Sequence, residues 1–465
     1  MSSRTPPAPA ESPWARYKPS ERAPWNLRRV VHLHRRAGFA ATWEELQRDQ
    51  KDGPAASVDR LLSGKSRLQG VPKDFSGSSD TLEHLAVREG DTQLLATWWT
   101  YRMLFGPDLL GERLTLFWHN YFATSAAKVG MTVRRQNTIF RRLARAPFGD
   151  LLGEVVRDPA LLLWLDAPAN RKEHPNENLA RELMELFTLG IGHYTERDVK
   201  EAARALTGWT LAKGDFREEE ILHDQGEKTI LGQRGRWGGG DLVRILLEHP
   251  ASAEHLAARL CGLFFGEGTV DASGIRTLAT GLRERRLDIG WAVETVLRSE
   301  AFFAETNLNS RVVGPVEYVV GAARALELLD PAPNLLVLAE YATSLGQQLF
   351  YPPNVGGWRE GRAWINTRAA IGRANFAAGL LRGEDFGMSG SVDALGLARR
   401  HGRGGNLKDL VEFYAELLLG GLPDAEWGER LLSAVSMGHP GPEANAAAAR
   451  QVVVLILASP EGQLL

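Results

Sequence analysis

The sequence contains very little cysteine and no excess of charge of either sign. Its 465 residues include one cysteine, Cys261, which cannot form an internal disulfide. It lies in an apolar run where a buried, inert thiol is the usual outcome, and a cysteine-based metal site is excluded. The 55 Lys and Arg residues against 57 Asp and Glu residues give a formal net charge of −2. No overall basic field therefore attracts nucleic acid or an anionic membrane, and we expect neither as a partner.

Long apolar runs are also missing. The most apolar late stretch, residues 452–458, is far shorter than the roughly 20 residues that a membrane-spanning helix needs. Arg28-Arg29 and Arg35-Arg36 look like a twin-arginine signal, but no apolar segment follows them. Residues 1–24 are rich in Pro, Ala and Ser, which predicts a disordered tail. We expect a cytoplasmic protein with no membrane span.

Several common enzyme signatures are absent. The sequence has no Gly-x-Ser-x-Gly nucleophile motif and no His-Glu-x-x-His zinc motif, and the glycine run 235–240 lacks the contexts that cradle a nucleotide. The basic cluster between Lys128 and Arg145 has no interleaved aromatic residues. A solvated face or a phosphate contact fits this cluster better than nucleic-acid binding.

Helical periodicity dominates what is present and predicts a mainly α fold, a multi-helix orthogonal or bundle-like array. One helix is predicted at 108–125 with Asp108 as its cap. Another covers 175–189, and a third begins at Thr195 with an approximate capping box to Asp198. Two β-like runs, at Ile221-Leu222 and at 229–231, predict a small β-hairpin insertion near 216–232.

The predicted organisation is a single integrated domain over residues 25–465 that follows the tail 1–24. Its parts are a helical first half (25–215), the hairpin with a glycine-rich loop (216–240) and a helical second half (241–465). The polar, glycine-rich stretch 383–405 predicts a linker or a surface excursion.

The helix at 175–189 has one apolar and one polar face. On a helical wheel its apolar side takes up Leu179, Ala180, Leu183, Leu186 and Phe187, with Met184 at the margin. Asn178, Glu182 and Glu185 form a line on the opposite side, flanked by Arg181. This line is either a solvated face with an Arg181–Glu185 ion pair, or the wall of a cleft. In a cleft, the two carboxylates could hold a divalent cation or act as acid and base, and Arg181 could clamp an anion.

The residues around this helix resemble a bacterial family known as domain of unknown function 1800. The similar strings are His34–Phe39, Phe117–Ser125, His174–Gly190, Tyr194–Trp209, His223-Asp224 with Lys228-Thr229, Pro352–Trp358, Ala363–Thr367 and Ser459–Glu461. The resemblance spans residues ~25–465 and implies one integrated domain. Many relatives look exported and some have a sulfatase-like neighbour, which implies sulfated or polysaccharide material. The family supplies no established catalytic residues.

The leading hypothesis is a metal-assisted hydrolase with a helix-built cleft. Glu182 and Glu185 would be metal ligands or acid and base groups, and His119 and His223 would complete the shell of a divalent ion. Asp224 is a candidate general base, and Asn178 a candidate substrate contact.

Two alternatives stay open. One is a non-enzymatic scaffold or partner-binding protein, in which Arg181 and the glutamates form a structural ion-pair network. The other is a carbohydrate-binding protein whose 351–367 loop stacks sugars on Trp358 and Trp364 and binds their hydroxyls through Asn354 and Asn366. The same loop could instead be a plug whose tryptophans fill the core.

Overall fold

The computed structural model of the protein describes residues 12–64, 72–383, 386–388, 390–439 and 441–465. The predicted mainly α-helical fold is confirmed, since helices follow one another through the described chain and its paired strands form two short antiparallel hairpins. No helix among the described residues is both long and apolar enough to cross a membrane.

The elements lie in the following order: α1 (Leu27–Ala37), α2 (Trp43–Leu62), α3 (Phe75–Glu89), α4 (Thr92–Phe105), α5 (Leu109–Tyr121), α6 (Ala126–Val129), α7 (Val133–Arg142), α8 (Phe148–Val155), α9 (Pro159–Trp164), α10 (Asn178–Glu182), a π-helical turn (Leu183–Thr188), α11 (Glu196–Ala205), β1 (Trp209–Ala212), β2 (Asp215–Glu218), β3 (Lys228–Ile230), β4 (Gln233–Gly235), α12 (Gly239–Glu248), α13 (Pro250–Phe264), α14 (Ala272–Glu284), α15 (Ile289–Leu297), α16 (Pro315–Ala325), α17 (Leu335–Ser344), α18 (Thr367–Arg382), α19 (Ala394–Arg400), α20 (Leu407–Leu419), α21 (Ala425–Gly438) and α22 (Ala446–Ala458).

Side-chain caps set the start of many helices, including the two caps that the sequence predicts, at Asp108 and at Thr195. Thr195 accepts a hydrogen bond from the Asp198 main-chain nitrogen (3.2 Å), and Asp198 accepts one from the Thr195 nitrogen (2.9 Å). Asp108 likewise accepts from the Gly111 nitrogen at 2.8 Å. These contacts satisfy N–H groups that the first helical turn leaves without partners, so the predicted capping box and the predicted Asp108 cap are confirmed.

The predicted hairpin falls in the right region, but its pairing is wrong. Ile221 and Leu222 lie in a short 3₁₀ turn, Glu220–Leu222, rather than in a strand. One hairpin instead joins β1 to β2, and the other joins β3 to β4. The second turns at Leu231-Gly232, where both residues have positive φ, so the chain reverses directly after Ile230.

Two segments that were predicted to be irregular are packed. Within the predicted tail, Trp14 donates to the Gly274 carbonyl oxygen (2.9 Å) and Tyr17 is 7% exposed; residues 1–11 lie outside the described part. Within 383–405, helix α19 buries Leu395 and Leu397, while residues 384, 385 and 389 are not described. Both predictions failed for the same reason. Each segment has a few well-spaced apolar side chains that pack, but its high content of Pro, Gly and polar residues made the sequence look irregular.

The buried side chains form two large cores that meet at α1 and α5. One core draws on residues 30–133 and 313–465, and the other mainly on 110–303. Helix α1 contributes Val30 to the first core and Leu33 to the second, and α5 contributes Leu116 and Leu114 in the same way. Polar side chains on these two helices therefore lie deep inside the molecule.

Candidate functional site

Arg181 lies on α10, the first part of the helix predicted at 175–189, and joins it to α11. Its guanidinium donates to Glu177 (2.9 Å) and to both carboxylate oxygens of Glu196 (2.7 and 2.8 Å). These side chains are between one third and two thirds exposed, so water screens both ion pairs and they stabilise the fold only weakly. The predicted pair with Glu185 is wrong. The guanidinium is already engaged rather than free to clamp a substrate.

Glu182 and Glu185 lie close enough to influence each other. Burial, and then the charge of Glu185, raise the pKa of Glu182 above its ordinary value. Glu185 accepts a hydrogen bond from the Tyr194 hydroxyl at 2.6 Å. The two carboxylates are thus half-buried neighbours, and Asn178 lies in the same half-buried class at the start of α10.

The second half of the helix predicted at 175–189 is a π-helical turn, Leu183–Thr188. The Leu189 nitrogen donates to the Met184 carbonyl oxygen (2.9 Å), and the Thr188 hydroxyl donates to that of Leu183 (2.6 Å), both five residues earlier. The wider turn rotates the side chains away from the 3.6-residue wheel. Met184, predicted at the margin, is fully buried, and Leu186, predicted on the apolar face, is only half-buried.

His119 is a packed core residue. It is 1% exposed, its Nε2 accepts a hydrogen bond from the Phe350 main-chain nitrogen (3.1 Å), and its ring lies 5.3 Å from that of Trp99. Burial lowers the pKa of His119 to about 3, so the ring is neutral. Nε2 therefore uses its lone pair in the hydrogen bond from Phe350 and is not free to bind a metal in this conformation.

His119 should make the protein sensitive to acid. Its pKa is about 3 in the folded protein and 6.5 ordinarily, so the unfolded chain takes up the proton first. Its contribution is fully present above pH 6.5 and is lost as the pH falls toward 3. In urea unfolding between about pH 7 and pH 5, we expect the wild type to lose about 2 kcal/mol more than His119→Gln, whose amide oxygen still accepts from Phe350. The exposed His84→Gln is the control. Equal losses in wild type and His119→Gln would contradict the prediction.

His223 and Asp224 are held by their neighbours. The Nδ1 atom of His223 lies 2.8 Å from the Thr207 carbonyl oxygen, and Asp224 accepts from Arg204 at 2.7 Å. The hydrogen bond from Arg204 lowers the pKa of Asp224 below its ordinary value. A general base at neutral pH works best with a pKa raised toward 7, so this shift is in the wrong direction for that role. In the described part of the chain, no group of three or more His, Cys, Asp or Glu side chains is arranged to hold a metal ion. The predicted four-residue metal shell is therefore not formed.

The 351–364 loop is a plug. Trp358 and Trp364 are only 6% and 8% exposed and form a small apolar cluster with Val312, so they offer no sugar-stacking platform. Asn354 accepts from the Gly356 nitrogen (2.9 Å), and Asn366 caps α18 through the Ala369 nitrogen (2.9 Å). The plug interpretation is confirmed for the two tryptophans, and sugar stacking on them is wrong, whereas the exposed Asn354 and Asn366 stay predicted substrate contacts.

A different set of residues places charge deep between the two cores. Arg36 on α1, Arg113 on α5 and Arg311 before α16 are 0%, 4% and 7% exposed. Arg113 and Arg311 both ion-pair with the same carboxylate oxygen of Glu317, on α16, which is itself 7% exposed. We refer to Arg36, Arg113, Arg311 and Glu317 as the arginine centre.

The arginine centre has more positive than negative charge. Arg35 and Arg373 also interact electrostatically with Glu317, so five guanidinium groups share one carboxylate, and Glu360 adds a second negative charge near Arg113. Burial lowers the pKa of Arg113 to about 10, and burial followed by repulsion from Arg311 lowers that of Arg36 as well. A buried cluster of this sign favours an additional anion.

Several N–H groups of the arginine centre find no acceptor within the part of the chain that the structure describes. Arg36 Nη2 donates to the main-chain oxygens of Asn307 (3.0 Å) and Leu465 (2.8 Å) and to the Ser310 hydroxyl (2.9 Å). Among the described residues, however, Nε and Nη1 of Arg36 and Nε of Arg113 and Arg311 have no hydrogen-bond partner. Each buried donor left in this state costs about 1–3 kcal/mol. The centre is thus unsatisfied in hydrogen bonds as well as in charge.

A pocket of about 540 Å³ connects Arg311 to the surface. One wall comes from the C-terminal part of α13 and residues 265–268, and the other from Glu360–Ala363. The volume lies in the range of ordinary small-molecule sites. Of the arginine centre, Arg311 is the member that lines this pocket, and Arg36 and Arg113 lie behind it.

Asn120 fixes the loop that carries Glu360. Its Nδ2 donates to a carboxylate oxygen of Glu360 at 3.0 Å, and its Oδ1 accepts from the Trp358 nitrogen at 2.7 Å. Asn120 lies on α5, two turns after Arg113, so one helix positions both the arginine centre and the wall of the pocket.

The sequence analysis missed the arginine centre, although one signal of it was present. Helix α5 is apolar over most of its circumference, and a cation such as Arg113 in such a helix must be buried and must have a partner. The partner, Glu317, lies about 200 residues away, and no local pattern links the two positions.

The fold and site together define a mainly α-helical protein with a buried, positively charged centre and a pocket that reaches it. Residues 32–464 match the model of a family described as protein of unknown function (DUF1800), and the chain belongs to this family. The comparisons found no match to this chain among the curated proteins or the solved structures.

Proposed function

We propose that this protein binds a small molecule bearing an oxyanion, such as a phosphate, sulfate or carboxylate group, with the anionic group at Arg311. The observation that carries the proposal is that Arg36, Arg113 and Arg311, each at most 7% exposed, have N–H groups with no acceptor among the described residues. Guanidinium groups bind oxyanions through paired hydrogen bonds, so such a ligand would give Arg311 an acceptor and would offset the excess positive charge of the whole centre.

The pocket supports a small molecule rather than a bare ion. Its volume of about 540 Å³ leaves room for a ligand body beside Arg311, between Phe265 and Ala363. Arg36 and Arg113 need not touch the ligand, because their charges strengthen the field at Arg311 in a medium of low dielectric constant.

This proposal replaces the metal-centred part of the hydrolase hypothesis. That hypothesis needed His119, Glu182, Glu185 and His223 in one shell, and His119 is committed to Phe350. An acid and base role for Glu182 and Glu185 stays a prediction. It is supported by the raised pKa of Glu182 next to Glu185.

The test is sulfate-dependent stability at constant ionic strength, with sodium chloride as the reference salt. Sulfate at about a hundred times its Kd should add about 2.7 kcal/mol to the free energy of unfolding of the wild type. Arg311→Gln should lose this increment and should still fold, because it removes positive charge from a centre with too much of it.

Arg324→Gln is the matched control. Arg324 is another fully buried arginine, but it donates to the Leu104 carbonyl oxygen (2.7 Å) and pairs with Glu45 away from the pocket. This variant should be less stable and should keep the full sulfate increment. A sulfate increment that survives in Arg311→Gln would overturn the proposal.

The scaffold alternative is the second candidate, and the ion pairs of Arg181 with Glu177 and Glu196 favour it. In this case the arginine centre, like Arg181, only holds helices together. The same experiment separates the two functions, because a pure scaffold shows no increment with sulfate, phosphate or acetate beyond that of chloride.

A further inference from the structure

A second cavity, of about 680 Å³, lies between α7, α8 and β2. Its apolar wall is formed by Ile139, Leu143 and Phe216, and its polar side includes Arg157 and Asp158 from the segment between α8 and α9. No residue that lines it also lines the pocket at Arg311. The two sites can therefore be tested separately.

Arg157 provides an unpaired positive charge in this cavity. Its Nη1 donates to the Gly153 carbonyl oxygen (2.8 Å), and it makes no ion pair within the described residues. Its guanidinium carbon lies 5.4 Å from the ring centroid of Trp209 and 5.8 Å from that of Phe216. These aromatic contacts hold the guanidinium in position without neutralising it.

Asp158 provides a carboxyl group that is only half used. It is 1% exposed, and its Oδ1 accepts from the Ala160 nitrogen at 3.0 Å as the cap of α9. The Leu161 nitrogen also interacts with this carboxyl group, but Oδ2 is buried and has no hydrogen bond of ordinary geometry among the described residues. The capping role accounts for one oxygen and leaves the other available to a ligand.

We propose that this cavity binds an organic acid with a carboxylate head and an apolar body. The head forms an ion pair with Arg157 and accepts a hydrogen bond from Oδ2 of Asp158 in its acid form. The body packs against Ile139, Leu143 and Phe216, which explains why one wall is apolar while the other carries charge.

The charges around Asp158 set the pH range of this binding. Burial raises the pKa of Asp158 to about 7, although Arg135 on α7 acts in the opposite direction. Arg135 pairs with Asp215 next to β2, and Glu154 on α8 pairs with Arg142. Asp150 on α8 and Arg157 also line the cavity. On α6, which packs against α9, Lys128 is engaged with Asp166 at the far end of α9.

The protonation state of Asp158 therefore controls binding. Below pH 7 the acid form of Asp158 donates a hydrogen bond to the ligand, and above pH 7 its carboxylate repels the ligand.

The experiment is a calorimetric titration of the full chain with benzoate, which stays ionised between about pH 6 and pH 8.5. We expect binding at pH 6 and a Kd that rises about tenfold for each pH unit above 7. Asp158→Asn keeps an acceptor for the α9 cap and a donor for the ligand. The Asp158→Asn variant should bind benzoate with the same Kd at pH 6 and at about pH 8.5.

Arg157→Gln should lose benzoate binding, whereas the control Arg134→Gln should keep it. Arg134 lies on α7 beside Arg135, pairs with Glu83 and does not line the cavity. Three outcomes would overturn the proposal: no benzoate binding at pH 6, wild-type pH dependence in Asp158→Asn, or unchanged binding in folded Arg157→Gln. Benzoate bound at Arg311 instead would be recognised because neither Arg157 nor Asp158 would affect it.

Discussion

Glu317→Gln is expected to lower the free energy of unfolding by about 3–5 kcal/mol, because it leaves buried guanidinium groups without their counter-charge. The substitution preserves shape, and the amide oxygen can still accept from the Gly314 nitrogen, which lies 2.7 Å from the carboxylate. Burial alone would raise the pKa of Glu317, but Arg113 and Arg311 lower it below its ordinary value, so the wild-type side chain is charged at neutral pH. The expected loss is thus a loss of charge rather than of packing.

Glu305→Gln is the control for this prediction. Glu305 also pairs with two arginines, Arg28 and Arg29, but it is about half exposed, so its replacement should cost about 1 kcal/mol or less. Urea unfolding gives both values, and sulfate should restore part of the stability of Glu317→Gln by supplying a new counter-charge. A cost for Glu317→Gln equal to that of Glu305→Gln would show that the arginine centre is not held together by this carboxylate.

Local patterns in the sequence predicted the helices and their caps well. The helix predicted at residues 108–125 is α5 (Leu109–Tyr121), and the helix predicted to begin at Thr195 is α11 (Glu196–Ala205). Apolar spacing and cap residues act over a few neighbouring positions, so a single sequence contains the information. The π-helical turn at Leu183–Thr188 was missed for the same reason, because the wheel assumes 3.6 residues per turn throughout.

The site could not be predicted in the same way, because its members are far apart in the chain. Arg36 and Asn307 are joined by a hydrogen bond across 271 residues, and Arg113 and Glu317 by an ion pair. Sequence reasoning instead favoured chemically distinctive residues that turned out to be structural, such as His119 and Trp358. A histidine among aromatic residues and a tryptophan in a glycine-rich loop are found both in binding sites and in hydrophobic cores. The local sequence therefore does not distinguish the two.

Gly357→Ala should lower the free energy of unfolding by about 2–5 kcal/mol and strengthen sulfate binding at the arginine centre, because the negative charge of Glu360 would move away from the pocket. Gly357 has a φ of +77°, and a Cβ atom there would lie 2.2 Å from Oδ1 and 2.5 Å from the main-chain oxygen of Asn120. The side chain could rotate away, but the main-chain oxygen belongs to α5 and cannot move freely. Displacing the loop would break the bonds from Asn120 to Trp358 and Glu360, and Glu360 would leave the pocket wall.

Gly361→Ala separates the steric effect from the backbone effect. Gly361 has a comparable φ of +63°, but a Cβ atom there meets nothing within 4 Å, so only the strain of the left-handed conformation remains, about 1–2 kcal/mol. Thermal unfolding and sulfate titration of both variants provide the comparison. If the two variants are equally stable and bind sulfate equally well, the close contact between Gly357 and Asn120 does not position the pocket. If only Gly357→Ala gains sulfate affinity, then the plug loop, which was expected to bind ligand through its tryptophans, limits anion binding by holding the carboxylate of Glu360 in the pocket wall.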